Sequence, residues 1–307
     1  MRILVLGAGG TGGYFGGRLA EAGVDVTFLV RSRRAAQLRA DGLVLTSRLG
    51  NMRQPVKFVE RGDTGTGWDL VLLACKAYDL ADAIETISSA VTASTRILPL
   101  LNGVRHLGVL GSRFGLQSVL GGLCHIGVRM ASDGTIEHLN EIQHFAYGQR
   151  THEQRAFCDA LEPILAAGRF SPIRSQDILQ DMWEKWMMLS TYAAMTCLFR
   201  GSIGDIVASG GRPYVEQALD EAVKVAAAHG HAPRPQFLAE TYATLTEDGS
   251  KNTSSMLRDV RAGNRIEVEQ VLADFVNSGA RLDLPCPLLS LAVVQLRAYE
   301  RQRSASS

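Results

Sequence analysis

Long hydrophobic runs and an excess of either charge are lacking in this chain of 307 residues. No apolar run reaches the roughly 18 residues that a membrane span needs. The start, MRILVLGAGG, ends its short apolar run in glycines, unlike a signal peptide. The 32 lysines and arginines nearly balance the 31 aspartates and glutamates. A net charge of +1 argues against nucleic acid or a membrane surface as a partner.

Cysteine pairs and several catalytic motifs are also lacking. The five cysteines are odd in number, widely scattered and never arranged as C-x-x-C, which predicts reduced thiols in a cytoplasmic protein. The chain contains no G-K-S/T phosphate loop, no H-E-x-x-H and no G-x-S-x-G. His229 and His231 alone make a poor metal site. We therefore expect no metal.

The order of patterns along the chain predicts an α/β protein of two domains. The first half alternates β-like runs with helical stretches, which favours a parallel sheet with right-handed crossovers. The predicted strands are residues 2–6, 24–30, 69–74, 96–101, 119–130, 135–139 and 144–148, with helices over residues 11–22 and up to residue 87.

Helical spacing dominates the second half, after residues 172–177. The predicted helices are residues 177–198, 212–230, 235–245, 250–279 and one after 287, followed by a disordered tail at 301–307. We therefore predict a Rossmann-type dinucleotide-binding domain over residues 1–174 and an all-α domain over residues 175–307.

A glycine-rich stretch follows the first predicted strand and opens the first predicted helix. It fits G-x-G-x-x-G, the dinucleotide-binding fingerprint, in the expected context. The first glycine allows the tight turn, the second leaves room for the pyrophosphate, and the third lets helix and strand pack closely. The alternative is a glycine-rich turn without a ligand. The residues of the motif are Gly7, Ala8, Gly9, Gly10, Thr11 and Gly12.

The end of the second predicted strand distinguishes between cofactors. NAD and FAD sites usually place a carboxylate there, but this chain has Arg31, followed by Arg33 and Arg34. An arginine fork suits a 2′-phosphate, so NADPH or NADP+ is favoured over NAD. The alternative is a solvated basic turn. Lys76 follows a buried strand and is a second candidate for cofactor contact, or else an ordinary loop lysine.

Lys185 lies in a segment that is apolar on nearly every side, DMWEKWMMLS. Burying a cation there costs free energy unless it is paired with a polar group or is needed for catalysis. Lys185 is therefore a candidate general acid. The alternative is a surface lysine that shares an exposed stripe with Glu184. Farther on, Ser255 and Asp259 can lie on one face of a helix, and Glu267 can reach the same cleft as Lys185. The favoured alternative for this segment is an ordinary polar helix face without a site.

Taken together, these motifs resemble the ketopantoate reductases (2-dehydropantoate 2-reductases), relatives of the 6-phosphogluconate dehydrogenases. The resemblance runs from the glycine loop to the final helix. The segments that carry it are L-V-R ending at Arg31, C-K-A around Lys76, L-N-G around Asn102, W-E-K around Lys185 and NTSSMLRDVRAGNRIE ending at Glu267. The family's fold is a Rossmann domain followed by a helical domain, with the active site in the cleft between them.

The resemblance also implies roles for particular residues. In the family pattern, residues 7–12, Arg31, Lys76 and Asn102 hold NADPH, and Val128 lines the nicotinamide side. Lys185 is the proton donor in the reduction of a 2-oxo acid to a 2-hydroxy acid. Glu267 lies near the nicotinamide ribose and the substrate hydroxyl. Asn102, Lys185, Asn252 and Ser255 contact the substrate.

Two departures from the family pattern concern the substrate. The family commonly has asparagines four and eight residues after its lysine, where this chain has Leu189 and Ala193. A third polar family position is Ile203. Loss of hydrogen-bonding partners disfavours a hydroxyl-bearing substrate. His125 is a candidate compensating polar group, although a structural histidine is favoured.

Three functions therefore stand as hypotheses. The first is a ketopantoate reductase of pantothenate synthesis. The second is a family member that reduces a more apolar 2-oxo acid or ketone. The third is a non-enzymatic NADP(H)-sensing protein, against which the retained Lys185 and Glu267 speak. Relatives in the family occur as monomers and as dimers, and a homodimer through the helical half is the hypothesis for this chain.

Overall fold

The chain divides into two compact units in a computed structural model that describes residues 1–305. The first unit consists of Met1–Leu101 and His106–Leu179. The helical unit consists of Asn102–Arg105 and the described residues from Gln180 onward. The domain bounds predicted from the sequence stay a prediction. The short segment Asn102–Arg105 therefore groups with the helices, although it lies far from them in the sequence.

A five-stranded parallel sheet forms the centre of the first unit. Its strands are β1 (Arg2–Leu6), β2 (Asp25–Val30), β5 (Lys57–Glu60), β6 (Leu70–Leu73) and β7 (Arg96–Pro99). The order is β5-β2-β1-β6-β7, and every neighbouring pair is parallel. All four residues of β6 are buried, as expected of a strand covered on both faces. The Rossmann-type architecture predicted from the sequence is confirmed.

A second sheet of five strands completes the β structure of the first unit. Its strands are β3 (Leu43–Thr46), β4 (Met52–Gln54), β8 (Gly121–Met130), β9 (Ile136–Gly148) and β10 (Pro172–Arg174). The order is β10-β9-β3-β4, with β8 antiparallel to β9. The prediction of separate strands at residues 135–139 and 144–148 is wrong, because β9 continues through the polar residues between them by pairing with β8.

Five α-helices connect the strands or follow them. They are α1 (Gly10–Glu21), α2 (Ser32–Asp41), α3 (Leu80–Ile87), α4 (Arg105–Phe114) and α5 (Arg155–Ala166). The position of α1 confirms the helix predicted at the glycine loop. The basic segment after Arg31 is helical and not a turn, because Ser32 already begins α2, but the choice between a solvated segment and a phosphate contact stays open.

The remaining helices build the helical unit around one apolar core that includes Met187, Leu257 and Phe275. They are α6 (Ile178–Phe199), α7 (Ile203–Ala208), α8 (Arg212–Ala228), α9 (Pro235–Leu245), α10 (Ser255–Arg261), α11 (Asp274–Ala280) and α12 (Pro287–Ala305). A π-helical segment, Val268–Ala273, leads directly into α11. Within residues 1–305, none of these helices is long and apolar enough to cross a membrane.

Two predictions for the second half are wrong. Residues 250–279 do not form one helix, because Ser254 caps α10 by accepting a hydrogen bond from the Leu257 amide, and Gly263 takes a positive φ of 71° after that helix ends. The tail predicted to be disordered is helical as far as Ala305, and Ser306 and Ser307 lie outside the described residues.

Candidate active site

The glycine loop at the end of β1 has the geometry that the fingerprint requires. Gly7 has a φ of +95°, which favours glycine. A Cβ on Gly12 would overlap the carbonyl oxygen of Gly7 and lie 3.1 Å from the Cβ of Ala74, so helix and strand pack closely only with glycine there. A Cβ on Gly9 would have no atom of the described residues within 4 Å. The loop is therefore closed on its inner side and open at Gly9.

The N-terminus of α1 presents backbone donors at this opening. Gly9 is the N-cap residue and provides no side-chain cap, and the first turn contains no acidic residue. Backbone N–H groups and the positive end of the helix dipole attract phosphate. A Cβ on Gly10 would lie 3.1 Å from Cγ2 of Val128, so this predicted cofactor residue lies against the loop. The open cradle fits a dinucleotide pyrophosphate.

Arg31 lies at the end of β2 with its side chain 75% exposed. Its guanidinium donates to Oδ2 of Asp82 at 3.1 Å and lies 3.9 Å from Asp79. The hydrogen bonds from Arg31 and Arg61 hold the pKa of the Asp82 carboxyl below its usual value. Exposed ion pairs of this kind contribute little to the free energy of unfolding. Arg31 can therefore give them up and bind a ligand phosphate instead.

Arg34 contacts the glycine loop, which the sequence analysis did not foresee. Its Nε donates to the carbonyl of Ala8 at 3.0 Å, and its Nη1 donates to the carbonyl of Gly134 at 2.7 Å. Partial burial lowers the pKa of this guanidinium. The carbonyls that it binds are distant in sequence, so no local pattern signals the contact. Arg34 thus holds the loop in place, whereas Arg31 faces solvent.

Lys76 follows β6 and is exposed at the start of a short 3₁₀-helix, Ala77–Asp79. Its position agrees with a ligand site at the carboxyl end of a parallel strand. Its contact with a cofactor stays a prediction.

Lys185 is buried on α6, with 9% of its surface exposed. Its Nζ donates a hydrogen bond of 3.0 Å to Oδ1 of Asn102. The alternative of a surface lysine is therefore wrong, and so is the exposed stripe proposed for Glu184, which is 1% exposed. The structure brings together two residues that are 83 positions apart in sequence and that were both predicted to act in the site.

Glu184 has a structural role beside this lysine. Its carboxylate accepts from the backbone N–H of Arg234 at 2.7 Å and from the Arg234 guanidinium, and from Gln180 at 3.1 Å. Burial raises the pKa of Glu184, but the hydrogen bonds from Arg234 outweigh this effect and bring the pKa below its usual value. In the W-E-K segment, the carboxylate anchors α9 through Arg234, while the ammonium next to it binds Asn102.

A cavity in the helical unit adjoins Asn102. It is lined by Asn102, Leu189, Ala193, Ser254, Ser255, Met256, Asp259, Glu267 and Val271. The structure thus gathers three predicted site residues, Asn102, Ser255 and Glu267. The two positions where the family commonly has asparagines, Leu189 and Ala193, line the same cavity. Ser254 falls within the segment 252–255 that the resemblance implied for the substrate. Sequence reasoning missed Met256 and Val271, which resemble ordinary core residues.

Three other predicted positions, described next, are not among the residues that line this cavity. Asn252 is exposed, and its carbonyl accepts from the Ile203 amide at 3.1 Å. Ile203 is fully buried in the core of the helical unit, as an apolar residue should be. His125 is exposed on β8, opposite His144 on β9. Substrate contact by Asn252 stays a prediction.

Comparisons with known proteins show the family to which this chain belongs. A family profile described as ketopantoate reductase PanE/ApbA matches residues 3–151, and one described as ketopantoate reductase PanE/ApbA C terminal matches residues 177–300. The uncharacterized oxidoreductase YkpB of Bacillus subtilis (strain 168) is 36% identical over 99% of this chain and 100% of its own length. A 2-dehydropantoate 2-reductase of Mesorhizobium japonicum is 27% identical over 98% and 99%, respectively.

Solved structures show the same fold. The 2-dehydropantoate 2-reductase from Methylococcus capsulatus superposes with a TM-score of 0.86 at 26% identity, over 99% of this chain and 98% of that one. D-mandelate dehydrogenase in complex with NADH and anilino(oxo)acetate superposes with a TM-score of 0.89, over 99% and 100%. At 18% identity, the latter likeness shows the fold alone.

The fold, the glycine loop and these relatives define an NAD(P)-dependent oxidoreductase that acts on CH–OH groups. More specifically, the chain belongs to the ketopantoate reductase family. The hypothesis of a non-enzymatic NADP(H)-sensing protein is therefore set aside.

Replacing two glycines of the loop tests helix–strand packing and cofactor binding separately. Gly12→Ala should lower the melting temperature, because its Cβ overlaps the Gly7 carbonyl. Gly9→Ala should leave the melting temperature unchanged, since its Cβ meets open space, but should weaken NADPH binding by about tenfold or more if the pyrophosphate lies there. Thermal melts and titration calorimetry measure both. Tight NADPH binding by the Gly9 variant would remove the pyrophosphate from this loop.

Arg31→Ala tests the 2′-phosphate contact. The variant should lose roughly 10- to 100-fold in kcat/KM for NADPH, because a charge-assisted hydrogen bond is lost. Its kcat/KM for NADH should change little, so the gap between the cofactors narrows. Arg33→Ala, which removes a neighbouring exposed cation, is the matched control. An unchanged cofactor preference in the Arg31 variant would show that another group reads the 2′-phosphate.

Proposed function

We propose that this protein uses NADPH to reduce a 2-oxo acid to a 2-hydroxy acid, as in the conversion of ketopantoate to pantoate in pantothenate synthesis. One observation carries the proposal: a buried ammonium, Lys185, is held by Asn102 beside a cavity that Glu267 also lines. The names of family members, 2-dehydropantoate 2-reductases, support the choice of substrate.

The chain's own residues supply proton transfer and orientation. When bound, the nicotinamide supplies hydride to the carbonyl carbon. As that carbon gains hydride, negative charge grows on the carbonyl oxygen, and an ammonium directed at it stabilises the charge and gives up a proton. Lys185 is the group placed for this step, and Asn102 holds its Nζ in position. The sum of one hydride and one proton converts the ketone into the alcohol.

Glu267 and Ser255 supply polar groups at the cavity for the rest of the substrate. Both stand at the ends of short segments, Ser255 as the first residue of α10 and Glu267 just before the π-helical segment. A carboxylate that accepts from the product hydroxyl orients it, and a serine hydroxyl at a helix start can donate to an anion. Roles for Glu267 at the nicotinamide ribose and for Asn102 at the cofactor are part of the same proposal.

The choice of NADPH rests on Arg31 and on the absence of a carboxylate at the end of β2. The cytoplasm is the proposed location, because all five cysteines are free thiols. A homodimer is proposed as the assembly, without an assigned surface.

Replacing Lys185 tests the proton donor. Lys185→Ala and Lys185→Met should each lower kcat by about a hundredfold or more, because general acid catalysis contributes that much. Lys224→Ala, which removes an exposed lysine of the same unit, should leave kcat unchanged. Steady-state NADPH oxidation with ketopantoate, together with melting curves, measures this. Near-normal turnover in both Lys185 variants would defeat the assignment.

A more apolar 2-oxo acid is the second candidate substrate, and the walls of the cavity favour it. Leu189, Ala193, Met256 and Val271 line the cavity with hydrocarbon. The terminal hydroxyl of ketopantoate would lose its hydrogen bonds to water if it were buried against these side chains. The polar lining residues remain available for the carboxylate and the keto oxygen.

A pair of substrates that differ by one hydroxyl separates these candidates. The test compares ketopantoate with 3,3-dimethyl-2-oxobutanoate, which lacks only the terminal hydroxyl. A cavity that binds the hydroxyl should favour ketopantoate by about 10⁴-fold in kcat/KM, whereas an apolar cavity should favour the deoxy compound by up to about 100-fold. Leu189→Asn should shift the ratio towards ketopantoate. A strong preference for ketopantoate in the wild type would eliminate the second candidate.

A further inference from the structure

Two adjacent rows of side chains on α6 contact different parts of the helical unit. Lys185 binds Asn102, and Leu189, four residues later, lines the cavity. The residues that follow each of them, Trp186 and Ser190, are also four apart and therefore share a face of the helix. Trp186 is 3% exposed and Ser190 is fully buried. The proposed function gives neither of these two residues a task.

Both residues donate to a single acceptor, the backbone carbonyl of Val271. Nε1 of Trp186 lies 2.7 Å from this oxygen, and Oγ of Ser190 lies 3.1 Å from it. A carbonyl oxygen has two lone pairs and can accept from two donors at once. We name this arrangement of Trp186, Ser190 and the Val271 carbonyl the carbonyl clamp.

The clamped carbonyl is linked to Glu267. Val271 belongs to the π-helical segment that starts immediately after Glu267, and its amide donates to the Glu267 carbonyl at 2.9 Å. Single π-helical turns occur often at functional sites. The clamp therefore ties the backbone of Glu267 to the helix that carries Lys185.

The same indole is next to the segment that carries Asn102. Gly103 has a φ of +80°, and a Cβ on it would lie 3.1 Å from the carbonyl of Gln270 and 3.4 Å from Nε1 of Trp186. The backbone around Gly103 therefore fits closely against the clamp. Trp186, which follows Lys185, and Gly103, which follows Asn102, therefore lie next to each other. The peptide between Gln270 and Val271, whose amide is hydrogen-bonded to the Glu267 carbonyl, lies beside Gly103 as well.

We propose that Trp186 and Ser190 are positioning residues that set the placement of Lys185, Asn102 and Glu267 relative to one another through the Val271 carbonyl. This inference rests on the proposed function, because it assumes that Lys185, Asn102 and Glu267 act together in catalysis. Catalytic groups need placement within about 0.5 Å, and a misplacement of about 1 Å can cost about a hundredfold in rate. A hydrogen bond shared by two donors restricts such movement.

A series at Ser190 tests the clamp. Ser190→Ala removes one donor, and Ser190→Cys keeps a weak one. The substrate is ketopantoate or 3,3-dimethyl-2-oxobutanoate, whichever the wild type turns over faster. We expect kcat with it to fall by about tenfold or more in the alanine variant and by less in the cysteine variant, with KM changed by less than about threefold. The primary isotope effect on kcat with C4-deuterated NADPH should rise in Ser190→Ala, because the chemical step becomes slower.

Thr191→Val is the matched control. Thr191 is also fully buried on α6, but its hydroxyl donates to the Met187 carbonyl within the helix. A loss of helix stability alone would therefore affect both variants alike. The clamp predicts that Thr191→Val keeps the wild-type kcat and isotope effect even if its melting temperature falls. Equal kinetics in Ser190→Ala and Thr191→Val would overturn the proposal.

A double variant distinguishes failure of this inference from failure of the proposed function. If Ser190 acts through the site, Ser190→Ala should cost little further activity in a Lys185→Ala background, because coupled residues are not additive. A full additional loss there would overturn the clamp while leaving Lys185 as the donor. Undiminished activity of Lys185→Ala alone would instead overturn the proposed function.

Discussion

The hydrogen bond from the Lys185 ammonium to Asn102 is the interaction on which the site depends. A buried charge is costly without a polar partner. On α6, Lys185 is followed by the buried side chains Trp186 and Met187, and the carboxylate of Glu184 before it binds Arg234 and Gln180. Asn102, a partner from another part of the chain, accepts from the ammonium. The segment Asn102–Arg105 supplies this partner, and Arg105 anchors the same segment by an ion pair of 2.7 Å with the buried Asp274. This requirement explains why four residues from the middle of the first half group with the helical unit.

The cofactor loop obeys a different constraint, which is steric. Gly12 has no space for a side chain, and Gly9 has space that no side chain of residues 1–305 fills. The first condition lets α1 approach β1, and the second leaves the helix N-terminus accessible. A guanidinium then reinforces the loop from outside, because Arg34 binds the carbonyl of Ala8. The loop is therefore closed towards β1 and open at the helix N-terminus, a geometry that suits an anionic ligand.

Local patterns predicted much of the fold and of the site. The glycine loop, the parallel strands and the helices α6, α8 and α9 follow from short-range periodicity and punctuation, and Lys185 was conspicuous as a charge among apolar residues. Features that depend on contacts distant in sequence were missed. Strand β9 continues because β8 pairs with it, and the π-helical segment carries no local signal. The cavity residue Val271 looks like any core valine until its carbonyl is seen to accept from Trp186 and Ser190.

The most direct test is a crystal structure of the protein with NADP+ and oxamate, an unreactive analogue of a 2-oxo acid. The account predicts Nζ of Lys185 within hydrogen-bond distance, about 3 Å, of the oxygen that replaces the keto oxygen, with Asn102 still accepting from the same amine. Oxamate bound to other residues, with Nζ of Lys185 in contact with neither the analogue nor Asn102, would contradict it.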